Sequence, residues 1–260
     1  MQPAMRDLRV AHRHFSDAAR VLEETQPLYQ LAPQVFACKT GRNYMFLDLR
    51  QDQYLSVPQS LMNELAPHIA NWSLPLGTVR TETIPRAHTR TLADDLITAG
   101  ILIPIGPDQH PALTPPAPHA AALRSALDSL YSEPPHRHRL SALSALSALL
   151  HADFLLHTST LWRIAHQISA RSENTPHELG ELQALSAAFL RVRAWYPRNY
   201  LCLFDSLALI LFLLNRGIRA QWVFGVREDP FAAHCWVQYD HVVLNEYLDR
   251  ALLYTPIMIV

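Results

Sequence analysis

Residues 199–217, NYLCLFDSLALILFLLNRG, constrain the chain more than any other stretch. Leu203, Leu207, Ile210, Leu211 and Leu214 recur at helical spacing and give one helix a face that only a core can accept, and Arg216 with Gly217 ends it. Cys202 stands at the open end of that rod. Unpaired backbone N–H groups and the positive end of the helix dipole favour thiolate over thiol at such a position, which suggests a nucleophile. Read alone, such a helix is more often a core element holding a quiet buried thiol. The residues that follow it decide between the two.

A chain of 260 residues has room for two modest domains, each with its own core. Its 22 Lys and Arg nearly balance 23 Asp and Glu, so no basic footprint marks it for nucleic acid or an acidic membrane surface. Cys38, Cys202 and Cys235 are scattered and odd in number. That pattern fits neither a disulfide framework nor a zinc ribbon and points to a reducing cytoplasm. The start, MQPAMRDLRVAHRHF, lacks a signal-peptide core, and the apolar run 207–214 is too short to span a bilayer. The histidines lack the spacing and acidic company of a metal site, and none is expected.

Taken in order, residues 7–24 place Leu8, Ala11, Phe15, Ala18 and Leu22 on one helical stripe, predicting an N-terminal helical extension over 1–32. Alternating runs at 35–39, 44–48 and 53–57, broken by turn residues, predict a small antiparallel meander. A helix bearing Leu61, Met62, Leu65 and Ile69 follows, shortened or kinked at Pro67. A second helix, 91–99, stops at Gly100, and a strand over 101–105 closes a winged-helix-like unit spanning 33–106. Residues 107–119 are proline-dense, polar and aperiodic: a linker. Beyond it, helices are expected from Leu123 to Leu130, over the Leu-Ser-Ala triplets of 140–150, over 157–169 and over 179–192, with Trp162 and Trp195 read as core residues. The overall expectation is an α+β chain whose second domain runs from 120 to 260.

After the 199–217 helix, QWVFGV (221–226) reads as a buried strand, AHCWVQY (233–239) as a second, and 242–246 as a third after an Asp240-His241 turn. A Cys at a helix start, a His on a later strand and an acid on the strand after that are the parts of papain-like and transglutaminase-like sites. A thiolate attacks a carbonyl, an imidazole holds and returns the proton, and an oxygen acceptor fixes the ring. The candidates are Cys202, His234 and Glu246. Register governs the third: a two-residue turn pairs His234 with Tyr247, whereas an extra turn residue or a bulge puts Glu246 opposite it. The latter is expected, with Asn245 as the fallback. Strand alternation sends Cys235 to the face opposite His234, so it is read as a buried thiol. Asp205, which would raise the Cys202 pKa if close, is expected to point away.

Two resemblances extend this reading. YMFLDLRQDQYLSV, a following helix and LADDLITAGIL resemble the small domains that recognise leader peptides of ribosomally made, modified peptides. That resemblance implies capture of a leader as an added strand, with Tyr54, Leu55, Ser56, Leu92, Asp95 and Leu96 forming the groove. CLFDSLAL, GVREDPFAAHCWVQ, VLNE and the terminal YTPIMIV resemble the B proteins of lasso peptide biosynthesis. Membership would imply a cytosolic, transglutaminase-like cysteine peptidase that removes the leader from a lasso precursor, for an asparagine-synthetase-like cyclase to close the ring. Cys202 matches the family nucleophile and His234 its base, while Glu246 stands where the family usually has Asp. Acyl transfer to an amine, or an inactive leader-binding adaptor, are the alternatives.

Overall fold

The structure is a computed structural model and describes residues 5–7, 28–75, 86–106, 121–129, 138–170 and 177–260. The chain divides into two compact units, residues 3–116 and 117–260. The expected linker lies outside the described residues.

The first unit is built from β1 (Met5–Asp7), β2 (Tyr29–Leu31), β3 (Val35–Thr40), β4 (Asn43–Asp48), β5 (Gln53–Pro58), α1 (Gln59–Leu65), α2 (Arg86–Thr98) and β6 (Leu102–Pro104). Its main sheet has the order β1-β5-β4-β3. Gly41, with a left-handed φ of 44°, turns β3 into β4. The buried Asp48 carboxylate fixes the next turn by accepting the Arg50 and Gln51 N–H groups at 2.9 and 3.2 Å. Tyr44, Phe46, Leu55 and Val57 alternate onto one face and bury against Met62, Leu65, Leu92 and Leu96 of the helices. Pro67 ends α1 as expected, in a short 3-10 turn. Gly100, at φ 74°, terminates α2, with Ile101 N–H reaching back to Leu96 O at 2.9 Å.

The helix predicted over 7–24 lies outside the described residues except for Asp7, which is in β1, paired parallel with β5. Residues 29–31, placed in the same helical extension, form β2 and pair antiparallel with β6, Tyr29 opposite Pro104. The stretch 28–32 thus belongs to the fold of the unit.

The second unit runs β7 (Arg124–Ser125), a 3-10 turn (Ala126–Ser129), α3 (His138–Thr158), α4 (Leu161–Ser169), α5 (Leu179–Arg193), α6 (Cys202–Leu214), β8 (Gln221–Arg227), β9 (Ala232–Tyr239), β10 (Val242–Val243), α7 (Leu248–Ala251) and β11 (Thr255–Ile259). Its sheet has the order β11-β8-β9-β10-β7, antiparallel except where β7 runs parallel to β10. The helix expected from Leu123 is instead β7 and its 3-10 turn, because Arg124 and Ser125 complete the sheet edge. The helix expected from His157 begins at Leu161, since α3 runs on to Thr158. Trp195 is 90 % exposed and so is not a core residue.

At the centre lies α6, buried on every side. Phe204, Leu207, Leu209, Ile210, Leu211, Phe212 and Leu213 are each at most 4 % exposed, enclosed by α3, α5 and the β8–β9 hairpin. Ala145 and Ala148 of the Leu-Ser-Ala triplets and Ala152 beyond them are buried on α3, small side chains that let two helices approach, with Leu149 filling the space beside them. Burying a large apolar side chain contributes about 1.5–3 kcal/mol, against about 1 kcal/mol for a helix cap. Burial therefore sets where the rod lies, and capping only where its first turn begins.

Across β8 from this rod, Gly225 stands opposite His234, and a Cβ there would come within 2.8 Å of the Trp236 ring and 2.9 Å of Tyr254 Cβ. Gly225→Ala is expected to destabilise the unit by about 1–3 kcal/mol through overpacking, read as a lower urea midpoint at unchanged slope. A variant as stable as the parent would show that this sheet yields without cost.

Candidate functional site

The helix end comes first. Leu201, extended at φ −135°, precedes Cys202, and its N–H donates to Asp205 Oδ2 at 2.9 Å. Arg193, the last residue of α5 and 1 % exposed, donates through Nε to Asp205 Oδ1 and through Nη2 to Asn199 O at 2.9 Å. Its guanidinium lies 4.4 Å from the centre of the Tyr200 ring and 5.2 Å from that of Phe204. One buried cation thus holds the loop into α6 and the first turn of α6 together. Burial pushes the Asp205 carboxyl up and Arg193 opposes this; its oxygens are committed to Arg193 and the Leu201 N–H, yet the charge of Cys202 still adds to the rise, so Asp205 is not removed from the thiol as far as expected.

His234 is buried on β9, its ring 5.1 Å from that of Tyr254 and 6.1 Å from that of Trp236. Its Nε2 bonds Glu246 Oε2 at 2.8 Å, which leaves Nδ1 for Cys202. The structure brings Cys202, His234 and Glu246 together, but not by the expected register. Val242 pairs with Tyr239 and Val243 with Gln238 across a two-residue turn in which Asp240 takes a φ of 49°. Continued, that ladder would set Tyr247 against His234. It does not continue. Leu244 N–H still reaches Val237 O at 2.8 Å, yet the Val237 N–H goes to Asn245 Oδ1, also at 2.8 Å, instead of to a backbone carbonyl. With the ladder ended there, the chain bends and Glu246 swings to the imidazole. Asn245, the fallback partner for His234, instead serves as the device that stops the strand.

Further bonds fix the acid. Ser125 Oγ on β7 donates to the Glu246 carbonyl at 2.7 Å, and the Tyr247 N–H donates to Glu246 Oε1 at 2.9 Å. Burial would raise the Glu246 carboxyl, but the His234 bond leads the interactions that hold it below its usual range.

Cys235 lies on the face of β9 turned toward α6, as strand alternation requires. Its sulfur is 3.3 Å from Ser206 Oγ, which accepts from Trp222 Nε1 at 2.7 Å and donates to Cys202 O at 2.6 Å. The Cys235 thiol also hydrogen-bonds Cys202. Burial keeps Cys235 protonated, so its S–H points a donor at the Cys202 sulfur. That bond, with those from His234 and against the opposing effect of burial, draws Cys202 down to about 4. For His234 burial works the other way, and the bonds to Cys202 and then Glu246 overcome it, raising the imidazole to about 8. The two groups titrate as a pair. Between these values the site holds a thiolate beside an imidazolium; the pair is lost below about 4 as sulfur takes a proton and above about 8 as the ring gives one up. Such a pair suits attack on a carbonyl and return of a proton to the departing group. Among the described residues no group of three or more His, Cys, Asp or Glu could hold a metal, and no helix is long and apolar enough to cross a membrane.

Sequence reasoning missed Arg193, Ser125 and the thiol contact of Cys235. Arg193 reads as an ordinary cation at a helix C-terminus, and Ser125 lies in a stretch that reads as helix. In the first unit, Leu92 and Leu96 are buried in the core and Asp95 is half-buried on α2, while Tyr54, Leu55 and Ser56 lie under β1.

The Cys235 contact is testable. Alkylation of Cys202 by iodoacetamide is expected to follow a titration far below that of a free thiol, which ionises near pH 8.5. Cys235→Ala should move the titration upward by removing the foremost donor. An unchanged alkylation profile would mean that Cys235 only fills space.

No curated protein and no solved structure matches the chain. A family model does: it matches residues 146–259, from within α3 to the end of β11, and so takes in the helix bearing Cys202 and the strands bearing His234. By that match, residues 146–259 form a domain of the transglutaminase-like superfamily.

Proposed function

We propose that the protein is the leader peptidase of lasso peptide maturation, a cysteine hydrolase that binds a precursor through its leader and cuts at the leader–core junction. The observation that carries the reading is the convergence of Cys202, His234 and Glu246 at the end of one buried helix. The superfamily match accords with peptidase or acyltransferase chemistry in general, and the lasso assignment rests on the motif resemblance.

In this mechanism Cys202 Sγ attacks the carbonyl carbon of the junction. As the oxyanion collapses, the C–N bond breaks and the His234 imidazolium passes its proton to the leaving amine. Water then attacks the thioester, His234 taking its proton, and the leader leaves as a carboxylate with Cys202 restored. Glu246 keeps the ring oriented and its cation stable throughout. The Cys202 N–H, at the first position of α6, has no carbonyl within the helix to bond and serves as one oxyanion donor. The core released by the cut passes to an asparagine-synthetase-like cyclase.

Leader capture falls to the first unit, at the backbone edge of β5 over Tyr54, Leu55 and Ser56, backed by α2 with Leu92, Asp95 and Leu96. Tethering the two activities on one chain raises the concentration of the scissile bond at the thiolate.

Incubation with a candidate precursor and mass analysis tests the reading. Hydrolysis adds one water across the fragments, whereas transfer would join the leader to an amine. Cys202→Ala is expected to abolish cleavage and leave leader affinity unchanged; cleavage that survives it sinks the proposal. Glu246→Gln removes the charge that helps hold the imidazole at about 8, so the alkaline limb of the kcat profile should move to lower pH. An alkaline limb that stayed in place would mean Glu246 does not act on His234.

A further inference from the structure

The outer edge of β5 carries a strand from the chain's own N-terminus. β1 pairs with it in parallel, Met5 opposite Tyr54, Arg6 opposite Leu55 and Asp7 opposite Ser56. β5 runs from Gln53 to Pro58, so β1 covers half of it. Without β1, β5 would be the terminal strand of the sheet, β4 being on its other side. An exposed strand edge presents unpaired N–H and C=O groups and pairs with whatever extended segment reaches it.

Three features of β1 mark it as a resident that can be exchanged. It is three residues long, so it forms few ladder bonds. It runs parallel, the slightly weaker pairing per residue. Among the described residues it also pairs with Tyr54, Leu55 and Ser56 alone, so an incoming strand can start to pair beyond them before β1 has left.

We infer that Met5–Asp7 is a built-in competitor at the β5 edge, which any extended peptide that adds to this edge must displace. The kind of partner is set by the edge: an unstructured, extended segment free of proline across the paired positions, because a ladder needs backbone N–H donors. Being on the same chain, β1 competes at a fixed effective concentration, and a peptide binds only by making more or better-directed ladder bonds. Short or unrelated extended segments are thereby refused. That the displacing peptide is a precursor leader rests on the function proposed above; the occupancy and exchange of β1 do not.

The test uses the chain's own segment as probe. A labelled peptide of residues 1–8, MQPAMRDL, is titrated by fluorescence anisotropy against the full chain and against a chain lacking residues 1–7. The shortened chain should bind it, and the full chain should bind it roughly tenfold more weakly or worse, as expected for a tethered competitor. The same peptide with Arg6→Pro should lose binding. In the full chain, Arg6→Pro should speed hydrogen exchange of the outward amides in 54–56 and admit the labelled wild-type peptide, a readout that stands if the shortened chain fails to fold. Equal binding to both chains, failure of every released chain to bind, or unchanged exchange overturns the inference. If peptide exchange holds while a candidate precursor is neither bound nor cut, the proposed function fails and this inference survives. If the full and shortened chains capture and cut a precursor equally well while the peptide does not exchange, the reverse is true.

Discussion

Burial of α6 on all sides is the constraint on which the second unit depends. A helix whose flanks are filled by α3, α5 and the β8–β9 hairpin cannot slide or rotate without voiding several large side-chain contacts at once. Its N-terminus is thereby a fixed point, and Cys202 inherits that fixity. The polar arrangements around it refine the position. Arg193 gathers the incoming loop, while Ser206 and Cys235 line the side of the thiol that faces the sheet.

The opposite wall is built on a different principle. No apolar rod holds Glu246; hydrogen bonds do. Asn245 replaces a backbone acceptor and ends the strand, Ser125 holds the carbonyl, and the carboxylate divides its oxygens between His234 and the Tyr247 N–H. The neutral bonds are worth about 0.5–1.5 kcal/mol net each and those to the carboxylate about 1.5–3, and each depends on a single geometry, whereas the helix end is held by many apolar contacts at once. The Glu246 side chain, one methylene longer than that of an aspartate, suits a wall reached by a bend instead of a ladder.

Legibility in the sequence followed the range of the forces. The meander, α1 with its break at Pro67, α2 ending at Gly100, and α6 with β8 and β9 were readable, because alternation, helical spacing and Gly or Pro signals act within a few residues. Cys202 and His234 followed from those elements. β7 was not readable, since two residues become a strand only because β10 stands beside them. The way Glu246 arrives was not readable either: the two-residue turn argued against it, and what overrode the turn was an Asn245 side chain taking one backbone donor. Arg193 has no local signature, as its partners come from a loop and a helix that it brings together.

Ser125 carries a consequence for where the second unit begins. The family match starts at residue 146, yet β7 and the hydroxyl that holds the Glu246 carbonyl lie some twenty residues earlier. A fragment cut at the family boundary would keep the thiol, the imidazole and the acid. It would also expose β10 as a bare edge and leave the acid's backbone without its outside hold. The smallest piece of this chain with an intact site therefore reaches upstream past residue 124, toward the start of the second unit and beyond the reach of the family match.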